Sequence, residues 1–344
     1  MLPRRGPNAA SPAMPGAGKG ALQRRLLLAA LAAPALAPRR AGAQSGWPGE
    51  RPIEVIVPVP PGGGLDTMAR IVMPHVCNHL GGGARFIVVS RPGAGTQIGN
   101  EAIFNAAPDG YTLGAITAPA LPALPIERAV RYRTADFAWI ANVVEDPNAF
   151  FVVATSPLKS LADLASAARG RPGGVSYGST GVGGDDHIAM LAYQTAQGLP
   201  AMVHAPFLGS APATQALLGG HIDLLVGNIS EAIALQRDGR IRALGVAAPA
   251  RFPPLPEVPT FREQGFDFVA GASRGFVSTP GLPPEIRRRL EAAFTAALAE
   301  PAFRQEAERL AMPLRPLIGT AYAAMVMDME ASLRALWQRQ PWKE

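Results

Sequence analysis

Cysteine is almost missing: Cys77 is the only one in 344 residues, so no disulfide can close within the chain and no multi-cysteine zinc site can form. Charged residues make up 17% and hydrophobic ones 48%, which excludes an intrinsically disordered chain. No run approaches the ~20 consecutive apolar residues that span a bilayer as a helix. Acidic residues are absent from positions 1–43, which hold seven Lys and Arg; the rest of the chain carries 25 basic against 26 acidic residues. The formal charge of +6 therefore belongs to the first segment, and the electrostatic case for nucleic acid or another polyanion disappears with it. What remains is globular and long enough for two domains.

The basic segment has its own logic. Arg24-Arg25 precedes the 12-residue apolar run Leu26–Ala37, and Ala41-Gly42-Ala43 follows. A charged start, a short apolar core and a small-x-small site are the parts of a secretory signal peptide. Residues 1–43 are therefore expected to be removed, leaving Gln44 at or near the mature N-terminus of a periplasmic protein. Gln23-Arg24-Arg25-Leu26-Leu27-Leu28 also fits the twin-arginine pattern, so Sec and twin-arginine export both stay open.

From Ile53 onward, short β-branched runs alternate with helical periodicity. Strands are expected at 53–57, 86–89 and 111–116, with helices at 66–80 and 98–107 between them. Pro74 should kink or shorten the first helix. A second series begins with a strand at 150–154. It continues with helices at 161–168, 188–197, 211–218 and 230–238, and strands at 175–177, 222–226 and 243–246. A strand at 274–278 then leads into two or three terminal helices, the first with Ile286, Leu290, Phe294 and Leu298 on one face. Strands separated by helices of this length imply two α/β blocks with mostly parallel sheets.

Two loops carry the chemistry. Pro58-Val59-Pro60-Pro61-Gly62-Gly63-Gly64-Leu65-Asp66 lies between a strand and a helix. Glycines there let backbone approach a ligand, and the helix start offers unpaired N–H groups and a positive dipole end. Asp66 suits a helix cap. The loop lacks the Lys-Ser/Thr of a P-loop and the G-x-G-x-x-G spacing, so neither a nucleotide nor any other cofactor is implied. Tyr177-Gly178-Ser179-Thr180-Gly181-Val182-Gly183-Gly184-Asp185-Asp186-His187 is a second strand-to-helix loop of the same kind. Two anion-friendly loops in two blocks suggest one small anion held between them.

Other chemistries fit less well. Ser179 and His187 offer a nucleophile and a base for a secreted hydrolase, but the surrounding residues are not a G-x-S-x-G elbow and no third member stands out. Asp185, Asp186 and His187 are adjacent on a helix start, where side chains diverge by about 100° per residue, so they are poorly placed to share a metal. His75 and His79 are four apart but lack an acid at ligand spacing and read as surface residues. His204 and His221 read as structural.

The motifs resemble one family along nearly the whole chain after the leader. Trp47-Pro48, Arg51-Pro52-Ile53, the Pro-x-Pro-Pro-Gly-Gly-Gly-x-Asp66 loop, Arg91-Pro92-Gly93-Ala94-Gly95, Ile98-Gly99 and Ala107-Pro108-Asp109-Gly110-Tyr111-Thr112 occur in order. They are followed by Tyr177-Gly178-Ser179-x-Gly181-x-Gly183, His187, Pro206-Phe207-x-Gly209-Ser210-Ala211-Pro212, Leu217–Asp223 and Leu255–Thr260. This order resembles the Bug, or TctC, extracytoplasmic receptors of tripartite tricarboxylate transporters. The resemblance implies a type II periplasmic-binding-protein fold, two α/β domains closing on a ligand: domain 1 at 44–151 and 274–344, domain 2 at 152–273. The strands joining them should lie near 150–154 and 272–276.

The resemblance also implies a monomer that binds a small carboxylate, whether a di- or tricarboxylate, an aromatic acid or an amino acid, and hands it to integral-membrane transporter subunits or to a membrane sensor. The implied contacts are Gly62, Gly63, Gly64 and Asp66, then Thr117 and Ala118, and on the second domain Ser179, Gly181, Gly183, His187, Phe207, Ser210 and Asn228. Ser90 and Thr96-Gln97 depart from residues common in the family at one edge of the cleft. Asp185-Asp186 replaces residues that are often uncharged, either turned to solvent or favouring a ligand with a positive group.

Overall fold

The structure, a computed structural model, describes residues 46–342. The leader and its cleavage site lie outside the described residues. The first lobe opens with β1 (Ile53–Val57), α1 (Gly64–Leu80), β2 (Phe86–Ser90), α2 (Gln97–Phe104), β3 (Thr112–Ala118) and α3 (Ala120–Glu127). β4 (Ala138–Val153) leads into α4 (Leu161–Gly170), β5 (Ser176–Ser179), α5 (Asp185–Gln197), β6 (Val203–Pro206) and α6 (Ser210–Leu218). β7 (Leu224–Asn228), α7 (Ile233–Arg237) and β8 (Ile241–Val246) complete the second lobe. β9 (Gly271–Ser278) returns to the first, followed by α8 (Pro284–Ala299), α9 (Pro301–Arg309), β10 (Leu314–Ile318) and α10 (Thr320–Arg339).

β4 is shared by both lobes. Its first part, Ala138 to Pro147, lies antiparallel to β9, while Asn148 to Val153 pairs with β7 and β8. In the first lobe β1 runs parallel to β2 and β3, and β9 closes antiparallel against β3. In the second, β5 runs parallel to β6 and β7. The chain thus changes sheets between Pro147 and Asn148, where Asn148 N–H donates to the Ala270 carbonyl, three residues before the strand that the sequence suggests. Pro147 disguises this: a residue without an N–H, beside Glu145 and Asp146, reads as a break, but at a change of partners the missing donor costs little.

Each sheet is packed on both faces. α1 and α8 cover one face of the first lobe through Met68, Val72, Val76, Leu290 and Phe294; Ile116, Trp139, Tyr322 and Val326 fill the other. The helix α1 continues through Pro74 without shortening. Pro74 and Arg70 are both exposed, so water can satisfy the carbonyl that loses its partner. Three short elements are invisible to periodicity: α3 contains two prolines, β6 has only four residues, and β10 has an irregular register against β4. The expected helix at 230–238 is instead a 3₁₀ turn, Ile229–Ala232, followed by α7. Trp342 packs with Ala123, Ile188, Leu191 and Leu333, tying the end of the chain to both lobes.

Where β9 crosses β4 the backbones and α10 meet closely. A Cβ on Gly275 would stand 2.4 Å from the Ala141 carbonyl oxygen and 2.7 Å from the Tyr322 hydroxyl. Gly275→Val is expected to destabilise the protein by about 1–3 kcal/mol through overpacking. Thermal or urea unfolding measures this, and an unchanged midpoint would contradict the packing described.

Candidate functional site

The first loop is shaped by its own acid. Asp66 is the third residue of α1, not its cap, and reaches back to accept Gly62 N–H at 3.1 Å. Arg70, one turn on, grips the same carboxylate at 3.0 Å through Nε and Nη2. Burial works against the charge of Asp66, but these donors outweigh it and hold the carboxyl below its usual range. Gly62 sits at φ +90°, a conformation that L side chains rarely adopt, so the loop stands open in front of the first-turn N–H groups of α1.

The second loop is built differently from its appearance in sequence. Ser179 is fully buried at the end of β5. Its hydroxyl pairs with Gly181 N–H at 3.2 Å and with His204 Nε2 at 2.6 Å. His187 instead uses Nδ1 to accept Gly183 N–H at 3.1 Å and stacks on His204 with ring centroids 4.1 Å apart. His204 stacks in turn on Tyr177. The Ser179–His187 pair considered for a hydrolase is therefore absent, and Ser179 has no open face toward a substrate. Burial pushes His187 down to about 3, helped by the neighbouring His204, and pushes His204 down to about 4. Both imidazoles are neutral braces.

Neither Asp185 nor Asp186 faces solvent. Asp185 accepts from Asn148 and Asn228 at 2.7 and 2.8 Å. Asp186 accepts from Asn148 at 3.0 Å, and from Thr180 N–H and hydroxyl at 3.1 and 2.7 Å. Burial, reinforced by the Asp185 charge, raises the Asp186 carboxyl well above its usual range. Beyond them lies a cluster that sequence reading missed. Arg274 on β9 donates to Asp146 Oδ2 at 2.9 Å, Asn228 Oδ1 at 2.7 Å and Glu231 Oε1 at 2.9 Å. Ser230 donates its hydroxyl to Asp146. A charged residue inside the apolar strand Gly271–Ser278 was the available signal, since an arginine is rarely buried unless paired.

These groups border a cavity of about 440 Å³ between the lobes. Gly62, Gly64, Thr67 and Met68 face it from the first lobe; Thr180, Ser210, Asn228, Ser230 and Glu231 face it from the second, and Arg274 from the crossing strand. Of the residues expected from sequence, Gly62, Gly64, Ser210 and Asn228 line this space. Gly63 and Asp66 belong to the loop and helix start behind the lining. Thr117 pairs with Arg274 across β3 and β9, and Ala118 with Ser273. Ser179, Gly181 and His187 form the internal bracing of the second loop, and Gly183 faces Trp342 and Glu127. Phe207 packs against the second-lobe core. Among the described residues, no group of three or more His, Cys, Asp or Glu side chains is placed to hold a metal ion. His75 and His79 bond Glu300, at 3.0 and 3.3 Å.

Two α/β lobes joined by crossing strands around an interlobe cavity define a type II periplasmic-binding-protein-like fold, that of solute-binding proteins. The chain belongs to the tripartite tricarboxylate transporter family of receptors, TctC, whose model matches residues 68–327. It is 33% identical over 242 residues to the BugT protein of Bordetella pertussis, covering 69% of this chain and 73% of that one. A TctC solute-binding protein from Polaromonas is 32% identical with a TM-score of 0.68, covering 85% of this chain and 99% of the other. MatC from Rhodopseudomonas palustris, solved with bound malate, is 27% identical with a TM-score of 0.75, over 83% and 99% of the two chains. The family is one of binding receptors, not enzymes, and acts outside the cytoplasm.

The histidine pair gives a direct check. Because folding keeps both rings neutral, the unfolded chain binds more protons than the folded one between pH ~6.5 and the folded values of about 3 and 4. The pair therefore costs stability progressively as pH falls through that window. Imidazole NMR resonances of His187 and His204 are expected to keep neutral-form shifts at pH 5. Protonation of either with a midpoint near 6.5 would contradict their buried stacking.

Proposed function

We propose that this chain captures a small carboxylate between its lobes and delivers it to the membrane subunits of a tripartite tricarboxylate-type transporter, after export directed by residues 1–43. The observation that carries this reading is the facing of two kinds of group across one cavity. The open start of α1, with Gly62 and Gly64, offers N–H groups and a positive dipole end. Thr180, Ser210 and Asn228 face it from the opposite lobe; the Thr180 hydroxyl and both Asn228 amide hydrogens are already given to Asp186, Asp185 and the Asp146 carbonyl, so it is their oxygens that remain for a ligand. A carboxylate on the first set is held while the second set closes over the rest of the molecule. The malate carried by MatC, whose fold and length match closely, supports the same class of ligand.

We place the change of lobe, and the hinges, at Pro147–Asn148 and at the entry to β9 near Gly271, a few residues before the boundaries 151/152 and 273/274 expected from the sequence. A ligand shifts such a two-lobed equilibrium only by contacts made better in the closed state. Here those contacts come from the second lobe, so binding and closure are one event.

A matching acid is expected to raise the melting temperature, since ligand at a hundredfold excess over Kd adds about 2.7 kcal/mol to folding stability. A melting screen of mono-, di- and tricarboxylates, aromatic acids and amino acids checks this; shifts only with sugars or phosphates would overturn the assignment. A Cβ on Gly64 would stand 2.6 Å from Glu231 Oε1 and 2.7 Å from the Arg274 guanidinium carbon. Gly64→Val should push Glu231 and Arg274 aside and weaken acid binding at least about tenfold, or ~1.4 kcal/mol, with some loss of ligand-free stability; undiminished affinity measured by calorimetry would contradict this placement of the cleft.

A further inference from the structure

We propose that the acid enters this cleft together with a proton, which Glu231 takes up as the ligand carboxylate settles beside it. This rests on the carboxylate-binding reading above and adds its regulation. Placement is the first reason. Glu231 belongs to the second lobe, in the 3₁₀ turn Ile229–Ala232, yet its Oε1 stands 2.6 Å from the point where a Cβ on Gly64 would be. The protein's own carboxylate thus lies against the first residue of α1, where N–H groups and the positive dipole end receive an anion. An ionised Glu231 and an ionised ligand repel one another there, and the least costly relief is to neutralise one of them.

The second reason is that the surroundings hold no spare positive charge. Glu231 faces Arg274 from β9, and feels Asp146 from β4 and Asp185 from the start of α5; Asp186, beside Asp185, feels the Glu231 charge in turn. On α1 the first charges, Asp66 and Arg70, are bonded to each other. One guanidinium therefore stands among the carboxyls of Asp146, Asp185, Asp186 and Glu231. It donates to Asp146 and Glu231 at 2.9 Å each and meets Asp185 only through Asn228. Burial pushes the Glu231 carboxyl up, Arg274 and Ser210 pull it back, Asp146 and Asp185 push it up again, and the upward direction wins. The Glu231 side chain is 22% exposed and that of Asp146 0%. Of the two carboxyls bonded to Arg274, Glu231 is thus the one that exchanges a proton with water.

Donors are the third reason. On the second-lobe wall the Thr180 hydroxyl is given to Asp186, the Ser230 hydroxyl to Asp146, and the Asn228 amide to Asp185 and the Asp146 carbonyl, while Ser210 bonds Glu231 itself. An ionised Glu231 adds one more acceptor to this set. A protonated Glu231 is a donor, and its O–H given to the ligand carboxylate makes a charge-assisted hydrogen bond. The proton comes from solvent and returns to it on release. Because the bound state holds Glu231 protonated at a pH where the free state does not, affinity rises as pH falls, until the free protein is protonated as well.

Calorimetric titration of the mature protein tests this with benzoate, malate and L-leucine as probes, joined by any acid that shifts the melting curve. Affinity is expected to rise at least about fivefold from about pH 8 to about pH 6, a range in which these carboxylates stay ionised. At about pH 7.5 the binding enthalpies in HEPES and in Tris should differ by the heat of drawing about 0.3–1 proton per ligand from the buffer. In Glu231→Gln, which keeps an oxygen for Arg274, that difference should vanish, the pH dependence should fall below about twofold, and binding at about pH 8 should be tighter than in the wild type. Where Glu231→Gln does not fold, Glu231→Ala takes its place. Binding without proton uptake, uptake that persists in the neutral variant, or a variant that binds no tighter than the wild type at the higher pH would overturn the coupling through Glu231 while leaving carboxylate binding standing. Binding of no acid by either protein at either pH would overturn the carboxylate reading and the coupling with it.

Discussion

A single guanidinium, buried where the two crossing strands lie side by side, governs both the architecture and the cleft. Arg274 sits on the strand that returns to the first lobe, and Asp146 on the strand that leaves it. Asn228 and Glu231 come from the second lobe. Removing an arginine from water is costly, and only the surrounding carboxylates and amide make its burial tolerable; burial and pairing pull in opposite directions, and the guanidinium stays charged with its pKa raised. Each partner is therefore held in place by the need of the others. From Asn228 the network continues through Asp185 to Asn148, the residue at which the long strand changes sheets. Hinge, floor and cleft wall are one connected set of hydrogen bonds.

That arrangement explains how neutral loops can hold an anion. The positive character of the first loop is backbone, not side chain: N–H groups and the dipole of α1, kept open by Asp66 pinning Gly62 from behind. The second loop is stiffened by a stack of Tyr177, His204 and His187 whose rings are too buried to charge. Rigid loops lose little freedom on binding, so the lobes need only move as bodies. Specificity then falls to the few side chains that reach the cavity, and Glu231 is the most accessible charged one.

Much of this was legible in the chain. The alternation of strands and helices announced two α/β blocks, and of the two loops singled out, Gly62 and Gly64 from the first and Thr180 from the second line the interlobe cavity. What local patterns could not reveal were groups whose roles depend on distant partners. His187 lies eight residues from Ser179, yet the ring bonded to Ser179 is His204, brought in by a four-residue strand too short to show periodicity. Asp185 and Asp186 looked open to solvent or to a cationic ligand because Asn148 and Asn228, which bury them, are 37 and 43 residues from Asp185. Pro147 hid the longest strand because proline usually ends one, and only the exchange of partners at that residue removes the objection.

Closure of both lobes on one acid is the central claim, and amide hydrogen exchange reads it most directly. With an acid at saturation, exchange should slow together at 62–67 in the first lobe and at 179–187 in the second, because neither loop can contact the ligand fully without the other approaching. Slowing confined to one lobe, with the other exchanging as in the ligand-free protein, would contradict it.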